Sequence, residues 1–252
     1  MPFRHSLAQS YFCMNGNDKR KNMRKNVVLS AILLIGFLSA SAQISIGVQG
    51  GAVFSKPKST YEVNSTLPIT VEASSKTGFM AGLIVDLPLG ESGFRLMPEL
   101  NYVSKGGRGS TQIGISLPTG PAQIGIDLTS TINYLELPVS LAYSAPVGDH
   151  FFVMGAGPYV AAGLNGKTLA KFSDDVGISD QEEPIVFGSV GDEIRRWDYG
   201  ANLMAGFIHH SGLMLKANYS LGIPNLANEG NPELRNRYFG ISLAYFFMKG
   251  GR

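Results

Sequence analysis

The feature that most constrains the fold of this 252-residue chain is a two-residue alternation of bulky and small side chains. In the stretch YFGISLAYFF (238–247), every second residue from Phe239 to Phe247 is large and apolar, whereas Gly240, Ser242 and Ala244 lie between them. A two-residue period is typical of a β-strand, whose successive side chains point to opposite faces. A strand of a soluble protein usually places polar or charged residues opposite its apolar face. In this chain the second face carries mainly small residues instead.

The same alternation recurs along the chain after residue 43. Six further segments show a clear phase, at 44–54, 78–87, 94–103, 134–143, 197–208 and 213–222. A seventh, FFVMGAGPYVAA at 151–162, is apolar on both faces, so its phase is not assigned. None of this region shows a sustained helical period. The sequence therefore predicts an all-β fold of eight strands.

The charged residues indicate which face is which. Only 16% of the chain is charged, against about 25% in average soluble domains. Within the phased strands every charge falls on the small-residue face: Asp86, Arg95, Glu99, Glu136, Asp198 and Lys216. The outer face of a soluble barrel would be rich in Lys, Glu and Thr, but this face is mostly Gly, Ala, Ser, Asn and Met. We predict an eight-stranded antiparallel up-and-down transmembrane β-barrel, with bulky residues on lipid and small ones filling a narrow lumen.

The six lumen charges would each be costly without a partner in so tight an interior. We predict that they form a structural network of salt bridges, in which Lys216 or Arg95 bridges Glu99 and Glu136. A proton or ion pathway is the alternative interpretation of the same charges.

The connections between the predicted strands alternate in length. Those at 88–93, 144–150 and 209–212 are short, whereas roughly 55–77, 104–130, 163–196 and 223–236 are long. Outer-membrane barrels have short periplasmic turns and long extracellular loops. The alternation predicts an integral outer-membrane protein with both termini on the periplasmic side.

Three prolines, Pro98, Pro138 and Pro158, fall inside predicted strands. Proline cannot donate to the ladder and is normally confined to edges or bulges. A closed barrel has no edges, so these positions are predicted to be β-bulges.

The N-terminal region has the three parts of a secretory signal peptide. Met23-Arg24-Lys25 is basic, residues 27–38 are apolar, and Ala40-Ser41-Ala42 precedes Gln43. We therefore predict a translation-start extension at 1–22, a signal peptide at 23–42 cleaved between Ala42 and Gln43, and a barrel domain at 43–252. The single cysteine, Cys13, precedes the barrel domain, which therefore has no disulfide framework.

The chemistry-bearing residues predict no enzyme. Of the four histidines, His150, His209 and His210 fall in predicted periplasmic turns, where we expect solvated side chains and no metal site. None lies in a predicted extracellular loop, which argues against a His-dependent hydrolase there. Residues 1–42 hold six Lys/Arg and one Asp, so 15 basic and 18 acidic residues remain in the barrel domain, which does not favour nucleic-acid binding. No cofactor and no catalytic residue is predicted.

Three longer motifs resemble the PorT-like outer-membrane β-barrel family. They are LMPELNYVSKGG (96–107), INYLELPVSLAYSAPVGDHFFVMGAGPYVAAGL (132–164) and NRYFGISLAYFF (236–247). The resemblance implies a small outer-membrane barrel of a Gram-negative bacterium. The namesake of that family is associated with a protein-secretion and gliding apparatus.

Together these observations favour a barrel without catalytic activity, with a structural, partner-binding or secretion-accessory role. Its expected partners are outer-membrane lipid, the barrel-assembly machinery and a protein that binds the long loops. The alternatives are a small channel or porin-like barrel and, third, a surface enzyme on a barrel scaffold.

The predicted cleavage site gives a direct test. Export should remove residues 1–42, because the basic, apolar and Ala-Ser-Ala segments follow one another in the order that signal peptidase requires. N-terminal sequencing of the mature protein should begin at Gln43 or be blocked there by cyclisation. A mature protein that retains Val27 to Leu38 would contradict the assignment.

Overall fold

A computed structural model describes residues 44–60, 74–117, 120–172, 179–188, 193–228 and 233–248. The predicted translation-start extension, the signal peptide and the cleavage site at Ala42 and Gln43 lie outside these residues.

The described part of the chain is built from antiparallel β-strands. The strands are β1 (Ser45–Ser55), β2 (Lys58–Thr60), β3 (Ser74–Pro88), β4 (Phe94–Leu117), β5 (Gly120–Val147), β6 (His150–Phe172), β7 (Gln181–Pro184), β8 (Trp197–Ile208), β9 (Leu213–Gly222), β10 (Glu233–Arg235) and β11 (Arg237–Met248). Over these residues no helix has the length and apolar character needed to span a membrane.

Eight of the strands close into a ring. Strands β1, β3, β4, β5, β6, β8, β9 and β11 each pair with the next of them in chain order. The first and last then pair with each other, from Ile46 opposite Met248 to Ser55 opposite Tyr238. Strands β2 and β10 form a separate two-stranded sheet, and β7 pairs with the far end of β6. The predicted eight-stranded antiparallel barrel is confirmed.

Burial confirms which face of each strand points outward. Along β11 the bulky side chains are exposed, with Phe239 41% and Phe247 54% accessible, whereas Ser242 and Ala244 are buried. The other phased strands behave in the same way. The structure also gives the phase of β6, with Val153, Tyr159 and Ala161 pointing inward. Bulk is therefore outside and small or polar residues are inside, the reverse of a soluble barrel.

The outer surface carries two rings of aromatic side chains separated by an aliphatic band. Near the long connections the exposed aromatics are Phe54, Phe79, Trp197, Tyr199, Tyr219 and Phe239. Near the short turns they are Phe94, Tyr143, Phe152, Phe207, Tyr245 and Phe247. Between the rings the exposed residues are mainly aliphatic, among them Leu83, Leu137, Leu203, Leu215, Ile241 and Leu243. Aromatic girdles that flank an apolar band are the surface signature of a membrane-spanning barrel.

The turns at one end of the barrel are short, as predicted. Strands β3 and β4 are joined by residues 89–93, β5 and β6 by Gly148 and Asp149, and β8 and β9 by residues 209–212. Gly148 adopts a φ of 60° and Gly212 a φ of 96°. This left-handed region favours glycine, so these residues allow the chain to reverse within a few residues.

The prediction of a loop at 104–130 is wrong, because most of these residues lie in β-strands. Strands β4 and β5 continue beyond the barrel as a hairpin, paired from Ser104 opposite Asn133 to Leu117 opposite Gly120. Strand β6 likewise continues to Phe172, past the predicted loop start at 163. The alternation in STQIGISL (110–117) and QIGIDL (123–128) continues the two-residue period, and the backbone ladder follows it.

The predicted bulges at the three prolines are also wrong. The ladder interruptions that shift register lie at Ile46/Gly47, Ser75/Met80 and Asn133/Tyr134, away from every strand proline. Pro138, for example, pairs with Tyr159 on β6 but interrupts the ladder to β4, which resumes in the same register at Asn101 opposite Glu136. Proline removes one N–H donor without inserting a residue, so hydrogen bonding is lost on one side while register is kept.

The aliphatic band predicts where a charge is least tolerated. Leu203 lies on the outer face midway between Tyr199 and Phe207 and is 51% exposed. Leu203→Arg should destabilise the barrel by about 2–4 kcal/mol, the cost of a cation near the bilayer midplane. The measurement is urea unfolding in lipid vesicles, followed by the mobility difference between folded and heated protein on a gel.

Val186 provides a matched control, because it is a 58% exposed aliphatic residue outside the barrel strands. Val186→Arg should change stability by less than about 0.5 kcal/mol. Equal losses from the two variants would show that the exposed face of β8 does not contact lipid.

Candidate functional site

The interior of the barrel is crossed by an apolar layer near the short turns. Its buried side chains are Ile84, Met97, Ala142, Val153, Met204, Ile208, Met214, Ala244 and Phe246. They come from seven of the eight barrel strands, all except β1. At the remaining strand Gly47 leaves space, and a Cβ there would lie 3.1 Å from the Phe246 ring. The apolar layer thus contains side chains from every barrel strand except β1, and at β1 the backbone of Gly47 lies close to the Phe246 ring.

Above the apolar layer lies a buried ion pair with a neutral hydrogen-bonded surround. Lys216 Nζ on β9 is 2.6 Å from Glu99 Oε1 on β4. The other carboxylate oxygen, Glu99 Oε2, accepts from Gln49 Nε2 at 2.7 Å and from Asn101 Nδ2 at 2.9 Å. Both charges are almost completely buried. Every oxygen of the carboxylate is thus occupied, which is the condition for a buried charge to be tolerated.

A second buried cation, Lys105, lies closer to the long connections. It forms an ion pair with Glu136 Oε2 and lies 3.7 Å from Asp198 Oδ2. Its ammonium nitrogen also lies over three aromatic rings, at 5.0 Å from the centroid of Tyr134, 5.1 Å from Tyr159 and 4.7 Å from Tyr238. Cation–π attraction strengthens when the groups are desolvated, as here. We refer to Lys105, Glu136, Asp198 and these three tyrosines as the lysine cage.

The tyrosines of the lysine cage also act as hydrogen-bond donors to its acids. Tyr238 donates to Glu136 Oε1 at 2.5 Å, and Tyr159 donates to Asp198 Oδ2 at 3.2 Å. Asn236 donates a further bond to Asp198 Oδ2 at 2.9 Å. One lysine therefore serves two carboxylates, and neutral donors supply the remaining stabilisation.

A third ion pair lies toward the short turns. Arg95 pairs with Asp86 on the adjacent strand, and its guanidinium lies 5.4 Å from the centre of the Phe151 ring. Asp86 is buried, whereas 13% of the Arg95 side chain is accessible. This pair thus borders the water at the short-turn end.

The structure brings the six predicted lumen charges inward but distributes them over three groups. Glu99 pairs with Lys216, Asp86 with Arg95, and Glu136 and Asp198 with Lys105. The predicted bridge from Lys216 or Arg95 to both glutamates is wrong, because Lys105 provides the cation for Glu136.

Lys105 is the one charge of the lysine cage that the sequence prediction missed. The residue falls in the predicted connection at 104–130, because the predicted strand ends at Val103. Yet Val103 and Lys105 keep the two-residue period, and both are buried. Extension of the strand by two residues would have placed Lys105 in the lumen.

The small residues of the inner face give these groups their room. Gly240 faces β9, and a Cβ there would lie 2.5 Å from Asn218 Oδ1. At Gly222 a Cβ would lie 2.8 Å from the backbone oxygen of Asn236 and 3.0 Å from Asp198 Oδ1. Larger residues at these positions would therefore displace lumen side chains.

The long-connection end of the lumen is covered by the segment that precedes β8. Ile185, Phe187 and Ile194 pack against the cluster that contains Tyr134 and Tyr159. Phe187 and Ile194 also form a β-bridge with each other, and Ile194 forms another with Ala227. The segment is thus fixed over the lysine cage.

The three described histidines lie close together at the short-turn end of the barrel. His150, His209 and His210 lie in the short turns as expected, but three ring nitrogens, one from each, lie within 4.8 Å of one another. The sequence did not bring the three residues together, because no local signal shows that the β5–β6 and β8–β9 turns are neighbours.

Comparison with known families agrees with this geometry. Residues 39–228, well over half of the chain, match the family described as Outer membrane protein beta-barrel domain. The chain belongs to this family. It is therefore an integral protein of the outer membrane, and the outward bulky face is the lipid-facing one. No curated protein matches the chain.

Solved structures of outer-membrane barrels are similar to this one at low identity. The Neisserial surface protein A, NspA, is 15% identical, with 80% of this chain and 97% of that chain covered and a TM-score of 0.37. OprG from Pseudomonas aeruginosa is 11% identical, with 83% and 98% covered and a TM-score of 0.38. Ail of Yersinia pestis, in a complex with sucrose octasulfate, is 14% identical, with 81% and 99% covered and a TM-score of 0.33.

The separate ion pairs of this outer-membrane barrel predict a specific pattern of energetic coupling. Lys105→Met should cost about 3–5 kcal/mol in urea unfolding, because two acids lose their buried cation. The addition of Glu136→Gln should recover part of that loss. Lys216→Met should couple in the same way to Glu99→Gln. By contrast, the losses of unfolding free energy caused by Lys216→Met and by Glu136→Gln should be additive within about 0.5 kcal/mol, because the two residues belong to different groups.

The exposed pair of Lys167 with Glu182 is the control. Its side chains are 57% and 53% accessible, and Lys167→Met should cost less than about 1 kcal/mol. Strong coupling between Lys216 and Glu136 would contradict the separation into groups.

Proposed function

We propose that this outer-membrane barrel is a closed, non-enzymatic scaffold that binds a protein partner through its long connections. The observation that carries the proposal is the apolar layer, to which seven strands contribute buried side chains. A hydrophobic constriction of this kind excludes water and thereby blocks ions. The three groups of lumen charges, Asp86, Arg95, Glu99, Glu136, Asp198 and Lys216 with Lys105, then stabilise the barrel and do not form a transport path.

The sheet that projects from the barrel supports the partner-binding part. Beyond Arg108, β4 pairs with β5 on one side, and no described residue pairs with its other edge. An open strand edge can accept an added strand from another protein, with main-chain hydrogen bonds providing affinity. The segment 109–117 therefore offers a docking edge well outside the barrel ring.

The distribution of histidines supports a non-enzymatic role. All three described histidines lie at the short-turn end, and catalysis at the long-connection end would have to proceed without them. The buried acids of the lumen already have cation partners. A surface enzyme therefore has less support than the scaffold.

The sequence motifs support a finer identity. We assign the chain to the PorT-like group of outer-membrane barrels, with both termini in the periplasm and the long connections outside the cell. Insertion would depend on the barrel-assembly machinery and on outer-membrane lipid. A structural or accessory role in a secretion or envelope complex is consistent with a closed lumen and a projecting sheet.

Electrical recording in planar bilayers tests closure and separates the scaffold from the channel alternative. The wild-type barrel should show no steady conductance. Phe246→Ala, which removes a fully buried ring of the apolar layer, should produce openings or lower stability by about 3–5 kcal/mol. Phe247→Ala, which removes the neighbouring lipid-facing ring, should behave as wild type. Steady conductance of the wild-type barrel would favour the porin-like alternative.

Site-specific photo-crosslinking in intact outer membranes tests the docking edge. A photoreactive residue in place of exposed Ser110, on the projecting part of β4, should give a discrete protein adduct. The same residue in place of exposed Glu91, in a short turn, should not give that adduct. Identical adducts from the two positions, or none from Ser110, would count against partner binding at this edge.

A further inference from the structure

Three imidazoles converge at the short-turn end of the barrel, outside the lumen. His150 is the first residue of β6, and His209 and His210 follow the last residue of β8. Strands β6 and β8 are neighbours, with Phe151 opposite Ile208, so the two turns meet. The ring centroids of His150 and His209 are 4.7 Å apart, and those of His209 and His210 are 4.0 Å apart.

We propose that His150, His209 and His210 form a binding site for a divalent late transition-metal ion such as Zn²⁺ or Cu²⁺. Imidazole nitrogen is a preferred ligand of these ions. Three protein ligands with one open position is the arrangement of an accessible zinc site, whereas closed structural sites use four. All three described histidines of the chain would therefore bind the same ion.

The distances suit a site that closes on its ion. One ring nitrogen from each histidine lies within 4.8 Å of the others. Around a tetrahedral ion with Zn–N bonds of ~2.0–2.1 Å, such nitrogens would be about 3.4 Å apart. His210 is exposed and the other two are half-buried, so modest side-chain rotation provides the approach.

Neighbouring contacts orient two of the rings. The backbone N–H of His210 donates to His150 Nδ1 at 3.3 Å, which holds the His150 ring beside the 209–210 turn. His209 Nδ1 lies 2.9 Å from Ser211 Oγ. The same nitrogen accepts a hydrogen bond from the backbone N–H of Ser211 at 3.2 Å. These two contacts hold the His209 ring in place, as outer hydrogen bonds do for ligands in metal sites.

The location of the site suggests what a bound ion would do. The His150 ring packs 5.3 Å from the ring of Phe207, within the aromatic girdle of the short-turn end. An ion would therefore link the β5–β6 and β8–β9 turns at the membrane surface. Its open coordination position would face water and could take a donor group from another molecule.

Titration of the mature barrel in detergent, without a histidine tag, provides the test. Calorimetry with ZnCl₂ should show one ion per barrel, and acidification to about pH 5 should release it, since only unprotonated imidazole binds metal. His150→Ala, His209→Ala and His210→Ala should each weaken binding at least about tenfold, since loss of even an outer-shell partner of a ligand typically costs about 10–100-fold in affinity. Ser92→Ala, in the neighbouring β3–β4 turn, is the control and should bind as wild type.

Paramagnetic resonance of the Cu²⁺-loaded barrel counts the ligands independently of affinity. The spectrum should show coupling to three nitrogens in wild type and two in His150→Ala. Heat-modifiable gel mobility of each variant shows whether it remains folded. Absence of stoichiometric binding by wild type would overturn the proposal. Unchanged binding by folded His150→Ala would overturn it equally, because the adjacent pair alone would then account for the ion.

Discussion

In the hydrocarbon of a bilayer, a backbone N–H or C=O without a hydrogen-bond partner costs several kcal/mol, so no strand can present an open edge to lipid. In this barrel the pairing of β1 with β11 satisfies that requirement, from Ile46 opposite Met248 to Ser55 opposite Tyr238. The other properties of the molecule follow from closure. A ring of eight strands has a narrow interior, which determines the residues that can line it. The outer face of the closed ring then contacts lipid.

The narrow interior explains the inversion of bulk along each strand. Large side chains inside would collide across the lumen, so glycine, alanine and serine alternate there with a few long side chains that fill the remaining space. Those long side chains fall into two kinds. One kind is apolar and forms a layer near the short turns. The other kind is charged: above the layer Glu99, Glu136 and Asp198 are paired with two lysines, and toward the short turns Asp86 is paired with Arg95. In the proposed scaffold the apolar layer seals the barrel, while the charged groups link strands that are distant in sequence.

Much of this could be predicted from the sequence, because the two-residue period carries both strand position and face. The absence of charge from the bulky set was sufficient to place Glu99 and Lys216 in the lumen. The sequence was less informative about which acid pairs with which cation. These pairs depend on the stagger between strands, and a two-residue period contains no information on stagger. Lys105 was missed because the strand was ended too early, and the three-histidine cluster was missed because it joins two turns far apart in sequence. The prolines misled because register was preserved across each lost hydrogen bond.

Cysteine accessibility tests the central claim, an inverted and sealed barrel, most directly. Residues 43–252 contain no cysteine, so single cysteine substitutions in this part of the chain report without background. In lipid vesicles, a charged water-soluble thiol reagent should label Ser211→Cys in the exposed β8–β9 turn but not Ser242→Cys in the lumen until urea unfolds the barrel. Ile241→Cys should resist the charged reagent but react with a lipid-soluble one. Rapid labelling of Ser242→Cys by the charged reagent would show a water-filled lumen, and rapid labelling of Ile241→Cys by it would show that the faces are reversed.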